Sequence, residues 1–305
     1  MRANNSEIKH FKSISELMRY LGLSAPQHPL FTLIDYNKTP QLEINSGQKI
    51  SIDFYKISFK NSFSGKIKYG QDYYDFDEGG LAFLKPGQIV RPYEDMESYE
   101  GYALYFHPDF IRKFPIGTEI KSYGFFSYNV SEALFLSAKE KAIVEQLFQT
   151  INAESRENID QFSQEVLVSQ LALLLSYSKR FYNRQFITRK VVNHEIIHSL
   201  DQILEQYFQD KIGLDNGLPS VIFLSDKLGI SQRYLSDLLF SLTGLNTQRY
   251  IQKAIIEKAK EKLSTTNLSV SEIAYNLGFE YPQSFSTMFK KNTQKTPLQF
   301  RALFN

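Results

Sequence analysis

The chain has 305 residues, enough for two domains that each bury a core. It has no cysteine, which excludes disulfides, thiolate metal sites and any chemistry that runs through a thiol. The formal charge is only +2, but it is unevenly spread: Lys211 onward holds 12 Lys/Arg against 7 Asp/Glu, and residues 1–210 hold 23 against 26. The positive excess therefore lies at the carboxyl end, where a polyanionic partner would be met.

The opening MRANNSEIKHFKS lacks the apolar run of a signal peptide, and no segment approaches 18 apolar residues. The expectation is a cytoplasmic protein with no membrane partner. Ile14 to Leu21 reads as a short helix capped at Ser13 or Ser15, ended by Ala25-Pro-Gln-His-Pro29. From Leu30 to about Phe106 the pattern changes to short alternating runs: Phe31-Thr-Leu-Ile, Ile52 to Phe59, Lys66-Ile-Lys-Tyr, Leu81-Ala-Phe-Leu and Tyr102-Ala-Leu-Tyr-Phe. Gly, Asn, Asp and Pro turns separate them, as in a small antiparallel barrel or sandwich. The half before Phe110 is rich in Tyr and Phe, so the rings either fill a core or line a pocket for an apolar or sugar-like effector. No ligand-binding residue stands out. Asp72, Asp75, Asp77 and Glu78 crowd one turn without the order of a calcium loop, and read as a solvated hairpin tip. Only His107 lies near a predicted strand, so no metal or cofactor is expected there.

Two helical stretches follow, Ala138 to Ala153 and Ile159 to Phe181. Phe162, Val166, Leu167, Leu171, Leu174 and Leu175 give the second a wide apolar face, suited to packing on the sheet or to a homodimer contact. Phe181 to Lys190 is the boundary region, dividing residues 1–185 from 186–305. A further helix runs from Arg189 to Phe208, with Val192, Ile196, Leu200, Ile203 and Tyr207 inward. Within it, His194-Glu-Ile-Ile-His198 matches the H-E-x-x-H zinc signature, two imidazoles on one helix face with the Glu195 carboxylate as base. This makes a zinc-dependent hydrolase the rival reading. Asp201 stands where the longer form of that motif needs Gly, and the third ligand would have to be a downstream acid such as Glu205.

The last hundred residues carry a repeat. Leu224-Ser-Asp-Lys-Leu228-Gly229-Ile230 recurs 49 residues on as Ile273-Ala-Tyr-Asn-Leu277-Gly278-Phe279, and Tyr234-Leu235-Ser236-Asp-Leu-Leu239 recurs 50 on as Ser284-Phe285-Ser286-Thr-Met-Phe289. In the second copy Ser269 and Glu272 have capping-box spacing, Gly278 suits the exit from a helix, and Pro282 suits the first turn of the next. Each copy is thus a helix-turn-helix, whose second helix belongs in a DNA major groove. Thr247 to Ser264 between them reads as a connecting helix. The expected units are 221–242 and 269–291. Gln232, Arg233 and Ser236 in the first copy, and Gln283, Ser284, Ser286 and Thr287 in the second, are the base-reading candidates, with Arg233 suited to guanine and Gln283 to adenine. Lys290, Lys291 and Arg301 are phosphate candidates. Leu235, Leu239, Phe285 and Phe289 belong to the core, and Ser225 and Ala274 fill a slot where helices cross closely.

These units, Glu257-Lys258-Ala259-Lys260 in the connecting helix, and Phe289-Lys290-Lys291 followed by Thr296-Pro297-Leu298-Gln299-Phe300-Arg301 closely resemble the DNA-binding domain of AraC/XylS-type transcription regulators. The resemblance covers roughly the last 110 residues. It implies an α+β chain of two domains: a cupin-like antiparallel β-barrel with helices, then an all-α domain with two helix-turn-helix units. It further implies double-stranded DNA as partner, activation of transcription with contact to RNA polymerase, and no enzyme activity. Two positions depart from the pattern. Gln294 stands where Gly is usual, so a less tight turn is expected, and Asp237 stands where Arg is frequent, which weakens contact from that slot.

Overall fold

The computed structural model describes residues 8–39, 49–60, 66–69, 72–75, 79–90, 100–129, 132–157, 160, 162–188, 190–210 and 212–304. They fall into two compact units, Met1–Gln185 and Phe186–Asn305. The first mixes sheet and helix and the second is helical.

In the first unit, strands β1 (Lys9–Phe11), β2 (Phe31–Asp35), β3 (Ile50–Ile52), β4 (Tyr55–Lys60), β5 (Lys66–Tyr69), β6 (Asp72–Asp75), β7 (Gly80–Leu84), β8 (Ile89–Val90), β9 (Gly101–Phe106) and β10 (Leu134–Phe135) form three separate sheets. Among the described residues there is no closed barrel. The five-stranded sheet runs β10-β7-β4-β9-β2 and is antiparallel throughout. The run expected as one strand from Ile52 to Phe59 breaks at Asp53-Phe54. Ile52 ends β3, which pairs with β1 and β8, while Tyr55 begins β4 in the other sheet. The apolar positions change phase there, from Ile52 and Phe54 to Tyr55, Ile57 and Phe59, and that shift of parity was the signal in the sequence. Asp77 and Glu78, expected at the hairpin tip, lie outside the described residues.

Helices α1 (Ile14–Tyr20), α2 (Pro108–Ile111), α3 (Ile116–Glu119), α4 (Ala138–Glu154) and α5 (Ser163–Thr188) surround these sheets. Ser13, of the two candidates, caps α1 by accepting from the Glu16 N–H, and Ser137 with Glu140 forms a capping box on α4. Ile159 lies outside the described residues, and Asp160 caps the start of α5 by accepting from the Phe162 and Ser163 amides at 2.8 Å. The aromatic wealth of this half is spent on packing. Phe148 of α4 stacks on Phe59 and Tyr102 of the sheet, with centroids 5.6 and 5.5 Å apart, and Phe83, Phe125 and Tyr182 form a second group of rings. All are buried. A cleft of about 500 Å³ opens beside edge strand β2, lined by His28, Thr32, Asp35, Phe110, Arg156 and Gln164 among others. His28 is held there by a ring contact with Phe110 and by accepting the Leu30 N–H, and burial lowers its imidazole pKa.

The second unit contains α6 (Lys190–Gln209), α7 (Gly213–Asn216), α8 (Val221–Leu228), α9 (Gln232–Thr243), α10 (Thr247–Thr265), α11 (Val270–Asn276), α12 (Pro282–Thr293) and α13 (Pro297–Arg301). Leu200, Leu204, Tyr207 and Phe208 are the buried face of α6; Arg189 and the Val192 side chain lie outside the described residues. The connecting helix α10 is 19 residues, about 28 Å long. Its buried stripe is Ile251, Ile255, Ile256, Ala259 and Leu263. Tyr250, expected inward, is half-buried, and its hydroxyl donates to Asp201 of α6 at 2.8 Å. Desolvation and that carboxylate raise the phenol pKa strongly. Lys258 of α10 turns toward α6 as well and pairs with Glu205 at 2.7 Å.

Candidate nucleic-acid interface

Each helix-turn-helix unit is specified first by its caps. Ser220 caps α8, Gly229 ends it in the left-handed region, and Ser231 then caps α9. In the second copy the Ser269–Glu272 capping box starts α11, and Pro282 occupies the first turn of α12. Ser225 and Ala274 are both buried in the expected small-residue slot, and Leu235, Leu239, Phe285 and Phe289 are fully buried. Phe279, Phe285, Phe289 and Phe300 run ring to ring at 5.4–5.7 Å, tying α11, α12 and α13 into one body.

The repeat extends further than the two motifs. Gly244 ends α9 at φ +72°, Asn246 caps α10, and α10 follows; fifty residues on, Gln294 ends α12 at φ +60°, Thr296 caps α13, and α13 follows. Each copy is therefore three helices, and α10 is both the third helix of the first copy and the link to the second. Continuing the 50-residue offset past Leu239 and Phe289 would have found this. The expected loosening at Gln294 is not what the structure adopts. Gln294 takes the same left-handed conformation as Gly244, with its N–H on the Lys290 carbonyl at 2.8 Å, and is the only non-glycine with positive φ among the described residues. A side chain there costs roughly 1–2 kcal/mol, partly offset by the lower unfolded-state entropy of Gln. Replacing Gln294 with Gly should raise stability by about 0.5–1 kcal/mol and leave DNA affinity unchanged. A lower melting temperature for Gln294→Gly would contradict this.

The base-reading candidates lie on the outward faces of α9 and α12. Gln232, Arg233, Gln283, Ser284 and Thr287 are exposed, and Ser236 and Ser286 are half-buried beside them. Arg233 is not free-standing: its Nε donates to Asp237 Oδ2 at 3.0 Å. Lys290 and Lys291 are exposed in the last turn of α12. Arg301 is drawn inward, donating from Nε to the Leu263 carbonyl at 3.3 Å and from Nη2 to the Leu268 carbonyl at 2.5 Å. Its guanidinium thus closes the end of α10 and ties α13 to it, which leaves less of it for a phosphate. Two cations not singled out from the sequence, Arg249 and Lys253, stand four apart on the exposed side of α10 near its start. The i, i+4 spacing of like charges was their signal.

The zinc reading loses its geometry. His194 and Glu195 point to solvent, and His198 Nε2 lies 3.1 Å from Gln202 Nε2. Glu205 accepts from Lys258 and Gln209, and the Lys258 hydrogen bond first of all lowers its carboxyl pKa. Asp201 accepts from Tyr250. Among the described residues no three His, Cys, Asp or Glu side chains converge. Nor, among them, is any helix long and apolar enough to cross a membrane.

Comparison with known proteins agrees with this geometry. A family model described as a helix-turn-helix domain matches residues 224–303. The HTH-type transcriptional activator RhaS of Escherichia coli O157:H7 is 31% identical over 139 residues, which is 46% of this chain and 45% of RhaS. The chain thus spans about half the length of the curated relatives it matches. Similar solved structures include the C-terminal domain of the two-component response regulator yesN from Fusobacterium nucleatum, at 36% identity, 34% of this chain, 95% of that one and a TM-score of 0.30. They also include ToxT from Vibrio cholerae, at 17% identity, 90% of this chain, 99% of that one and a TM-score of 0.32. Two three-helix units joined through one shared rod define a tandem helix-turn-helix protein. Residues 224–303 are a helix-turn-helix domain similar to that of transcriptional activators such as RhaS.

Proposed function

We propose that this protein is a sequence-specific DNA-binding activator whose helices α9 and α12 enter successive major grooves on one face of the duplex. The observation that carries the reading is the duplicated unit: each copy buries the apolar side of its second helix and leaves a polar side outward, and α10 joins the two. Successive major grooves on one face are about 34–36 Å apart, and any mismatch with the rod would be met by bending the DNA. Arg233 and Gln283 read bases, while Lys290 and Lys291, with Arg249 and Lys253, neutralise phosphates.

The test is selection of bound sequences from a random pool, followed by measurement of each base position. Replacing Arg233 or Gln283 by Ala should relax preference at one position by about 1–3 kcal/mol and leave the others intact. Unchanged preference at every position in both variants would remove the assignment, and a wild-type chain that selects nothing would remove the function.

In the same reading, residues 1–185 form a sensing and dimerisation domain and residues 186–305 read DNA. The sheets of the first unit belong to a cupin-like barrel, the chain pairs as a homodimer, and it recruits RNA polymerase. Since the rings fill the interior, a small effector would take the cleft beside β2 rather than the aromatic core. A ligand at 100 times its Kd would add about 2.7 kcal/mol of stability, so a thermal-shift screen of small polar compounds tests this. No shift with any compound that alters DNA occupancy would count against the cleft.

A further inference from the structure

The two reading helices are unequal in charge. At an offset of 50, Arg233, Asp237 and Phe240 of α9 correspond to Gln283, Thr287 and Lys290 of α12. The outward side of α12 thus ends in cations. That of α9 carries one cation, one anion and an exposed Phe240, with no net charge. An anion on a side that meets phosphates weakens general attraction to DNA, so its presence on a reading helix calls for a reason.

Helix stability does not supply one. Arg233 sits in the first turn of α9, next to the positive end of the helix dipole, and the pair runs base-then-acid, the less favourable order for i, i+4. With Arg233 half exposed to solvent, the ion pair itself adds only about 0–1 kcal/mol. What the pair does is fix the guanidinium. Arg233 Nε–H is taken by Asp237 Oδ2 at 3.0 Å, while Nη1 and Nη2 make no hydrogen bond to the described residues. A guanidinium held at Nε still offers its Nη1/Nη2 edge, and that fork matches the paired O6 and N7 acceptors of guanine in the major groove.

We propose that Asp237 is a specificity-determining positioning residue: it holds Arg233 with its outer edge presented to guanine, and its negative charge suppresses binding to unrelated DNA. The inference rests on the DNA-reading function proposed above. Ordering the side chain before binding removes a cost that an unrestrained Arg would meet on every encounter, and the carboxylate penalises binding modes in which Arg233 turns instead to a phosphate.

The experiment uses the full chain, the sequence it selects, and three variants compared by competition binding. Arg233→Ala first identifies the base pair that Arg233 reads. At that pair, Asp237→Ala should lower discrimination for guanine about tenfold, within the span of a good bidentate contact. It should also raise affinity for random-sequence DNA about 3- to 10-fold and steepen the salt dependence by about one unit. Asp237→Asn keeps a carbonyl oxygen for the Nε–H but no charge. It should therefore retain guanine discrimination to within about threefold and still gain general affinity. Asp237 is only 28% exposed, so melting curves are recorded for every variant and binding is compared at a temperature where all are folded.

Discrimination in Asp237→Ala equal to that of the wild type would overturn the proposal. So would Asp237→Asn losing as much discrimination as Asp237→Ala. Selection that is intact in the wild type but insensitive to Arg233→Ala would overturn it while leaving the DNA-binding function standing. A wild-type chain that selects no sequence would remove both.

Discussion

Gly278→Ala is expected to lower the stability of the helical unit by about 3 kcal/mol or more, taking melting down by roughly 12 °C. Two costs add. Gly278 has φ +93°, a conformation that strains any residue with a Cβ by roughly 1–2 kcal/mol. A Cβ built there would also meet the Gly217 carbonyl oxygen at 2.1 Å and the Leu218 nitrogen at 2.9 Å, and backbone atoms cannot swing aside as a flexible side chain can. Relief of such overpacking typically costs another 1–3 kcal/mol, about that of a misfitted core residue. The Gly217 carbonyl is itself held by the Tyr207 hydroxyl at 2.8 Å, so the clash reaches α6 as well as the turn into α12. Gly244→Ala is the control, because Gly244 has φ +72° but nothing within 4 Å of the added carbon, and should show the conformational cost alone. Calorimetry on the full chain would decide it; equal losses at Gly278 and Gly244 would show that the close approach adds nothing.

The joint replacement Lys290→Ala with Lys291→Ala should weaken binding to every DNA sequence alike. If both ammonium groups meet phosphates, the dependence of log K on log salt should flatten by about 1.8 units. Taking about 1 M salt as the point where the phosphate contribution vanishes, affinity at about 0.15 M should then fall about 30-fold. Both side chains are exposed in the last turn of α12, where positive charge also suits the helix dipole, so a small loss of stability of about 0.3–1 kcal/mol is expected alongside. Titrations at four or more salt concentrations separate the two effects. A loss confined to the selected sequence, with the slope unchanged, would reassign these lysines to base contact.

Arg301 and Lys258 show how far charge can mislead a reading of the linear chain. Both sit among basic residues near the carboxyl end, yet Arg301 is committed to the Leu263 and Leu268 carbonyls and Lys258 to Glu205 and Glu261. A cation is a phosphate candidate only once its protein partners are known, and those partners lie 33 to 53 residues away in three of the four cases. The exposed Arg249 and Lys253 are the converse: they fit the phosphate role by position, and only their i, i+4 spacing marked them in the sequence.

What the linear order of residues determined by itself is the local chemistry of the helical unit. The Ser269–Glu272 box, Pro282 at a helix start, the buried positions of Leu235, Leu239, Phe285 and Phe289, and the duplication all follow from interactions within a few residues, which repeat with the helix period. Tertiary structure alone decided where partners distant in sequence meet. It divided the Ile52–Phe59 run between two sheets, packed the aromatic residues against α4, brought Gly278 onto Gly217, and held Gln294 left-handed without a glycine. Strand pairing and close backbone approach depend on which residues arrive opposite one another, and no periodicity along one segment carries that information.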